Sequence, residues 1–306
     1  MNYNFLYIGE FSALAAALFW SIAVILFKSV GNKVLPIVLN PLKNSIAFLT
    51  FMIVFFIFDI PFWYDGLDQI DYIKLIISGA IGMGIVDTIY LHTLNIIGAN
   101  RSAILSTMEP GAVFIISYIM LGTLMTTMQF IGFCIVIVSL LIIAYENDIE
   151  EIDTYEKRKA IYLQIFLFFC SAFNIVLIKP VLDKINHSIP LQLWAIAFRL
   201  LPGVLITVIF LLFQKNKQQI LYPLKQKYIF IRILIGATIG TFMALSFWIL
   251  GYSNIKYPPV ASLLGQTSCV FIIILAWIAL KEPISKKRIA AMMVSIIGVV
   301  LVIIGG

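Results

Sequence analysis

The sequence predicts an all-α integral membrane protein, with ten transmembrane helices in two inverted five-helix repeats. Of its 306 residues, 62% are hydrophobic and only 12% are charged, whereas a soluble domain is about 25% charged. Its apolar runs approach the ~20 residues that a helix needs to cross ~30 Å of hydrocarbon. The two halves of the chain also resemble one another in the order and length of these runs.

The predicted spans follow one another with mostly short connections. Their approximate bounds are 8–28, 36–58, 73–96, 101–122, 124–145, 160–182, 190–213, 229–251, 258–280 and 286–304. Three connections are longer, at 59–72, 146–159 and 214–228. Since an independent domain needs about 50 residues or more, no soluble catalytic domain is expected between the spans.

The charged stretch 146–159 divides the chain into two predicted repeats, 1–145 and 160–306. Because five is an odd number, the second repeat must enter the membrane in the opposite sense to the first. Inverted repeats are common in secondary transporters, whose substrate sites lie near the midplane where the repeats meet.

Individual residues support the repeat. A shift of 159 residues places Asn95 on Asn254 without a gap across two consecutive spans. Each half also ends its first span with a lysine, Lys28 or Lys179. The order and length of the segments remain the stronger argument, because apolar sequences match by chance.

The basic residues outside the spans indicate an orientation. Most fall in alternate connections on one side, and the other side has Lys74, Lys179, Lys184 and Lys256. By the positive-inside rule the richer side is cytoplasmic, which places both termini outside. Abundant Lys, Asn and Ile suggest a prokaryotic chain, and hence a multi-pass protein of the plasma (inner) membrane.

The chemistry of several function classes is not indicated. The net charge of +6 comes from loop residues, so nucleic acid is not an expected partner. Cys134, Cys170 and Cys269 lie in apolar runs without metal-ligand spacing, and no metal or cofactor is expected. The glycines of SGAIGMG (78–84) precede no Lys-Ser/Thr, so they are expected to permit close helix contact rather than bind phosphate.

Two carboxyl groups lie where the sequence predicts lipid depth. Glu109 is midway along the fourth span, directly before Pro110, and Asp87 is in the middle of the third. Ionisable groups at this depth are costly and usually mark a functional site. Each could contact substrate or carry a proton, and the structural alternative for Glu109 is a protonated group bonded to a neighbouring helix.

The third span carries further candidates. Tyr90 and Asn95 follow Asp87 at near-helical spacing. His92 is about 140° around the helix from Asp87, so the two do not face each other. The alternative for His92 and Asn95 is a hydrogen-bonding face, shared with Thr88, towards another helix.

Acidic chemistry is confined to the first half, because the second-half equivalents of Thr107 and Asp87 are Gln266 and Ser246. The remaining cavity candidates are Trp20, Asn174, Trp248, Gln266 and Arg199, with packing as the alternative for the aromatic rings. Lys43 and Arg199 begin their spans and can snorkel to the interface. The deeper Arg199 is a candidate counter-ion for Asp87, Glu109 or a substrate carboxylate.

Several motifs together resemble the EamA-type branch of the drug/metabolite transporter superfamily. They are the first span from Trp20 to Lys28, the run GANRSAILSTMEP (98–110) and the ending ALKEPISKKRIAAMMVSIIGVVLVI (279–303). The resemblance covers almost the whole chain. One departure is Gly122-Thr123, where the family has Gly-Glu at the end of the fourth span.

The resemblance implies a ten-helix transporter of small metabolites, often an exporter, with a central cavity between the repeats. Expected partners are a small-molecule substrate, membrane lipids and, as a candidate coupling ion, the proton, in a monomer or homodimer. Family members are usually drawn with cytoplasmic termini, opposite to the charge-based orientation. Two other hypotheses are a flippase for lipid-linked substrates and an intramembrane enzyme. The enzyme is disfavoured because the two histidines lie in different halves.

Overall fold

The computed structural model describes residues 7–106, 108–144, 154–281 and 284–305. Within these ranges every regular element is a helix. Residues 145–153, which include most of the predicted linker 146–159, lie outside the described part, as do Thr107 and Glu282.

The first half contains seven α-helices and one π-helical segment in its described residues. These are α1 (Ile8–Gly31), α2 (Pro36–Ile57), α3 (Gln69–Ser78), the first π segment (Gly79–Val86), α4 (Asp87–Ile97), α5 (Ala99–Ser106), α6 (Glu109–Leu121) and α7 (Thr127–Ala144). Asp68 caps α3 by accepting from the backbone N–H of Asp71 at 2.9 Å.

The second half repeats this order. Its elements are α8 (Thr154–Ile185), α9 (Ile189–Leu212), α10 (Lys217–Leu221), a 3₁₀ turn (Tyr222–Lys225), α11 (Lys227–Gly236), the second π segment (Ala237–Ala244), α12 (Leu245–Asn254), α13 (Pro258–Gly265), α14 (Ser268–Leu275), a third π segment (Ala276–Leu280) and α15 (Lys286–Ile304).

Seven helices in the described ranges are long and apolar enough to cross a membrane. They are Ile8–Gly31, Pro36–Ile57, Gln69–Ile97, Tyr155–Ile185, Ile189–Leu212, Lys227–Asn254 and Pro258–Leu280. Large apolar side chains such as Phe56 and Ile119 are 83% and 74% exposed, as expected for a surface in contact with lipid. The chain is therefore a multi-pass membrane protein.

Three predicted spans are not among these seven. They correspond to α5 with α6, to α7 and to α15. The predicted span 101–122 is interrupted between Ser106 and Glu109, so neither of its pieces is long enough to cross alone. The count of ten spans stays a prediction.

The helices of the two halves interleave. The first π segment packs on α9 and the second π segment on α1 and α2. Likewise α1 packs on α12, α4 on α8, and α7 on α15. Each half thus builds its core against the other half, which places any cavity in the centre between them.

Glycine makes this interleaving close. A Cβ atom at Gly79 would lie 2.1 Å from the carbonyl oxygen of Arg199, and one at Gly240 would lie 2.2 Å from the Cβ of Ala23. No real Cβ makes such contacts, so a side chain at either position would force the helices apart. The expected close helix contact at the glycines of 78–84 is present.

The lysines that end the first helix of each half occupy equivalent positions. Lys28 donates to the carbonyls of Leu94 and Asn95 at 3.1 and 2.9 Å. Lys179 donates to the carbonyls of Tyr252 and Ile255 at 2.8 and 2.9 Å. Carbonyls at a helix C-terminus lack intrahelical partners and favour a cation, so each lysine stabilises the end of the third helix of its own half.

Candidate functional site

A cavity of about 210 Å³ lies between the two halves. Its first-half polar and aromatic lining is Trp20, Lys43, Asp87, Tyr90, Ser106 and Glu109. Its second-half polar and aromatic lining is Phe168, Ser171, Asn174, Arg199, Thr241, Trp248, Tyr252, Ser262, Gln266 and Ser268. Both π segments border the cavity, through Gly82, Met83 and Val86 on one side and Gly240, Thr241 and Ala244 on the other.

Glu109 joins the two halves across the cavity. It is the first residue of α6, directly after the interruption that follows α5. Ser171 of α8 donates to Oε1 at 2.5 Å, and Gln266, which follows α13, donates its Nε2 to Oε2 at 3.2 Å. Both partners of this carboxyl group therefore belong to the opposite half.

The position of Glu109 follows from the interruption of its helix. Thr107 lies outside the described residues, and Pro110, at the second position of α6, has no N–H to bond to the preceding turn. The second half is interrupted at the equivalent place, with Gln266 and Thr267 between α13 and α14. Discontinuous helices of this kind form substrate and ion sites in transporters.

Asp87 forms an ion pair within the first half. The Nζ atom of Lys43, on α2, lies 2.7 Å from Oδ2 of Asp87 and also donates to Oδ1 of Asn44 at 2.9 Å. The Lys43 side chain is 2% exposed, whereas that of Asp87 is 23% exposed on the cavity side. The interpretation that Lys43 snorkels to the interface is wrong, because its ammonium group is held by Asp87 inside the protein.

The same face of α2 supports the first π segment. Asn40 donates to the carbonyls of Met83 and Gly84, and Asn44 donates to that of Met83, all at 2.9 Å. A π-helical turn disturbs the regular backbone ladder, and these amides bond the carbonyls that it presents to α2. The segment that precedes Asp87 is thereby fixed.

Arg199 is fully buried at the opposite wall. Its Nε donates to Oγ of Ser78 at 2.6 Å, and the guanidinium carbon lies 5.5 Å from the centre of the Trp248 ring. With its amide oriented to satisfy both neighbours, Asn174 donates to the Ser78 carbonyl at 2.8 Å and accepts from Nη2 of Arg199 at 3.3 Å. Lys43, and not Arg199, is the direct partner of Asp87.

Aromatic rings form part of the apolar lining. Trp20 and Tyr90 lie with their ring centres 5.8 Å apart, and Trp248 and Tyr252 with theirs 4.7 Å apart. One pair comes from each half. The cavity thus combines carboxyl, amide, cationic and aromatic groups within a small volume.

Two predicted site residues lie elsewhere. His92 is exposed beside a surface groove lined by Leu35, Ile37 and Leu163. Asn95 donates to the carbonyl of Gly31 at 3.1 Å, close to the bonds made by Lys28. The hydrogen-bonding alternative suits Asn95, and it suits Thr88, which accepts from Asn40 at 2.8 Å.

The structure adds residues that were not among the predicted candidates. Lys43 was interpreted as an interfacial lysine, and Ser171 and Tyr252 gave no signal above ordinary polar or aromatic content in a span. The run NPLKN (40–44) did contain a signal, because Asn40, Lys43 and Asn44 share one helix face at three- and four-residue spacing. Three polar groups on one face of a span indicate a buried partner.

At one end of the molecule, ion pairs and rings join the two halves. Lys184 donates to Asp71 at 2.5 Å and to Asp68 at 3.2 Å. The backbone N–H of Asp71, and then Lys184, hold the pKa of Asp68 below its usual value of 3.8. Next to them Tyr72 packs edge-on against Trp194, whose indole donates to the Phe62 carbonyl at 3.1 Å.

Among the described residues, no group of three His, Cys, Asp or Glu side chains is placed to hold a metal ion. No curated protein is similar enough to this chain to count as a match. Among solved structures 28 chains match. One of them, described only as the crystal structure of a protein, has a TM-score of 0.72 at 12% identity, with 97% of each chain covered. At that identity the likeness shows the fold alone.

A match to a protein-family model shows the family of the chain. The model of the EamA-like transporter family matches twice, at residues 7–145 and 158–304. The two matches together cover almost the whole chain, and the resemblance found in the sequence is confirmed. The chain belongs to the EamA-like transporter family, and it is a membrane transporter of the drug/metabolite type.

Proposed function

We propose that this chain is a proton-coupled secondary transporter that exports small metabolites, such as amino acids, by alternating access. The observation that carries the proposal is Glu109, whose carboxyl group accepts hydrogen bonds from Ser171 and Gln266 of the opposite half inside the central cavity. A change in its protonation or its ligand acts directly on contacts between the halves.

Alternating access requires two halves that can move against one another around a fixed site. The pairing of α1 with α12 and of α4 with α8 is what two interleaved repeats related by a two-fold axis would make. Ten spans in two inverted repeats, with α5–α6, α7 and α15 as the spans beyond the seven, complete this proposed architecture.

The cavity favours a small cargo over a lipid-linked one. Its volume of about 210 Å³ is below the ~300–1,000 Å³ of pockets for drug-sized ligands. Export as the direction of transport follows the family resemblance. The distribution of basic residues supports a plasma membrane location with both termini outside.

The coupling role is tested by transport in proteoliposomes. A metabolite panel is first screened for an amino acid that stabilises the purified protein against heat. Proteoliposomes that contain the protein should then accumulate this radiolabelled amino acid when a pH gradient is imposed. Glu109→Gln should still exchange substrate across the membrane but should not respond to the gradient. Glu156→Gln removes an exposed carboxyl group at the start of α8 and is the matched control.

Two outcomes would count against the proposal. If Glu109→Gln accumulates substrate as the wild type does, Glu109 does not carry the proton. If lipid-linked molecules stabilise the protein and are transported across the membrane, and no soluble metabolite does either, the protein is a flippase.

A further inference from the structure

The cavity lining holds two cations and two carboxyl groups, and one of the cations, Arg199, has no carboxylate in direct contact among the described residues. Two cations, Lys43 and Arg199, are 1% and 0% exposed. Asp87 is committed to Lys43 at 2.7 Å. Both oxygens of Glu109 are engaged by Ser171 and Gln266. Among the described residues, no carboxylate lies within ion-pair distance of Arg199.

The groups in direct contact with Arg199 are neutral, and Asp87 attracts the guanidinium group only from beyond contact distance. Ser78 accepts from Nε, Asn174 accepts from Nη2, and the Trp248 ring faces the guanidinium group. Its Nη1 atom is buried and has no hydrogen-bond partner among the described residues. An unsatisfied polar group in the interior costs free energy, and a buried charge costs more unless an opposite charge accompanies it.

Arginine cannot relieve this cost by losing its proton, because a guanidinium group stays charged in proteins. Because Asp87 contacts Lys43, and Glu109 contacts Ser171 and Gln266, a direct ion-pair partner for Arg199 is left to a group that enters the cavity. A carboxylate suits the guanidinium best, since its two oxygens match the planar fork of N–H donors.

We infer that Arg199, oriented by Ser78, Asn174 and Trp248, is the site for a carboxylate of the transported molecule. This deepens the proposed function and rests on it, because it assigns the class of cargo to a small carboxylate. Cationic or neutral compounds without a carboxylate leave Arg199 unpaired and are excluded. The carboxyl-bearing end of the cargo lies at the second-half wall, beside Arg199.

Matched ligand pairs test this inference on the purified protein in detergent. The probes are phenylalanine with phenylalaninamide, leucine with leucinamide and benzoate with benzamide, beside phenethylamine and phenyl phosphate. We expect a carboxylate member to raise the unfolding temperature and to bind about tenfold or more tightly than its amide. Arg199→Gln should remove that preference, and Arg199→Lys should retain part of it.

Two further variants separate binding from folding. Arg232→Gln removes an exposed arginine beside the Tyr228 ring and should leave the preference unchanged. Asn174→Asp places a carboxylate of the protein itself beside Arg199. It should raise the unfolding temperature without ligand and abolish binding of the carboxylate probes, even if Arg199→Gln fails to fold.

The inference is overturned if no carboxylate probe stabilises the wild type more than the matching amide does. It is also overturned if phenyl phosphate or phenethylamine is the only probe that stabilises the wild type, or if Asn174→Asp lowers the unfolding temperature. Substrate counterflow in vesicles distinguishes this failure from failure of the proposed function. Transport of an amine without a carboxylate would leave the transporter proposal intact and reject the carboxylate site. Binding of a carboxylate without any transport would support the carboxylate site and reject the transporter proposal.

Discussion

The two halves of the molecule share features of their backbone structure but differ in the polar side chains that they place in the cavity. Each half has a π segment before the last turns of its third helix, at Gly79–Val86 and Ala237–Ala244, and each interrupts its fourth helix at the cavity. Each also has a lysine, Lys28 or Lys179, bonded to the end of the third helix.

The chemistry on this shared framework is divided. The first half supplies the carboxyl groups of Asp87 and Glu109, whereas Ser246 stands at the second-half equivalent of Asp87. The second half supplies Arg199 and the amide of Gln266. Duplication therefore accounts for the shared backbone features, and divergence for a cavity whose carboxyl groups come from the first half and whose guanidinium group comes from the second. The following predictions sharpen or break this comparison.

The largest stability effect is expected at the buried ion pair of the first half, Lys43 with Asp87. Lys43→Gln leaves the partly buried Asp87 without its cation, and removing one partner of a buried pair costs ~3–5 kcal/mol. Because Asp87 is 23% exposed, we expect about 3 kcal/mol at the lower end of that range. Urea or thermal unfolding measures the loss.

The double variant Lys43→Gln with Asp87→Asn removes both charges and should recover most of that stability. Lys215→Gln, at an exposed position, is the control and should have little effect. A double variant that is less stable than Lys43→Gln alone would show that the pair is not the cause.

The close packing of the two π segments should respond to side chains at their glycines. Gly79→Ala and Gly240→Ala each introduce a Cβ atom about 2 Å from a neighbouring helix, which should cost about 1–3 kcal/mol by overpacking. Gly265 has nothing within 4 Å of an added Cβ, so Gly265→Ala should not destabilise. Equal stability of all three variants would contradict the observed approach.

The shared lysines should have smaller and unequal effects. Lys179→Met removes a buried ammonium group from two carbonyls and from the half-exposed carboxylate of Asp183, 2.7 Å away, and should cost about 2 kcal/mol. Lys28→Met should cost less, because Lys28 is half-buried and water can replace part of its bonding. Unfolding midpoints of the two variants test the order, and a larger loss for Lys28→Met would reverse our account.

The smallest effect is expected at the exposed end, where Asp68 meets Lys184. Since hydrogen bonds hold the pKa of Asp68 below 3.8, its contribution is present above that pH and is lost as the pH falls through the lowered value. Asp68→Asn keeps a helix-capping side chain but removes the charge. The wild type should lose its advantage over this variant as the pH falls below 3.8 and through the lowered pKa, and a constant difference would be inconsistent with this contribution.

Much of this arrangement follows from the sequence because apolar length and repetition determine it. Trp20, Asp87, Tyr90, Glu109, Asn174, Arg199, Trp248 and Gln266 were predicted and all line one cavity. Their roles as substrate or coupling residues stay predictions.

What sequence did not indicate depends on contacts between distant helices. The partner of Asp87 was missed because Lys43 stands in the second turn of its span, where lysines usually reach the interface. The π segments left no pattern, since Gly79–Val86 and Ala237–Ala244 read as ordinary apolar helix. His92 has the residue type of a functional group, yet its place on the outer face of the third helix puts it outside the cavity.

The central claim is that the carboxyl group of Glu109, held between Ser171 and Gln266 of the second half, carries the coupling proton. The most direct measurement exchanges the two residues of the Glu109–Gln266 hydrogen bond. It compares substrate accumulation by Glu109→Gln alone with accumulation by Glu109→Gln combined with Gln266→Glu, in proteoliposomes under a pH gradient. The account predicts no gradient-driven accumulation by the single variant and partial recovery by the exchanged pair. Full accumulation by the single variant, with nothing gained by the exchange, would contradict it.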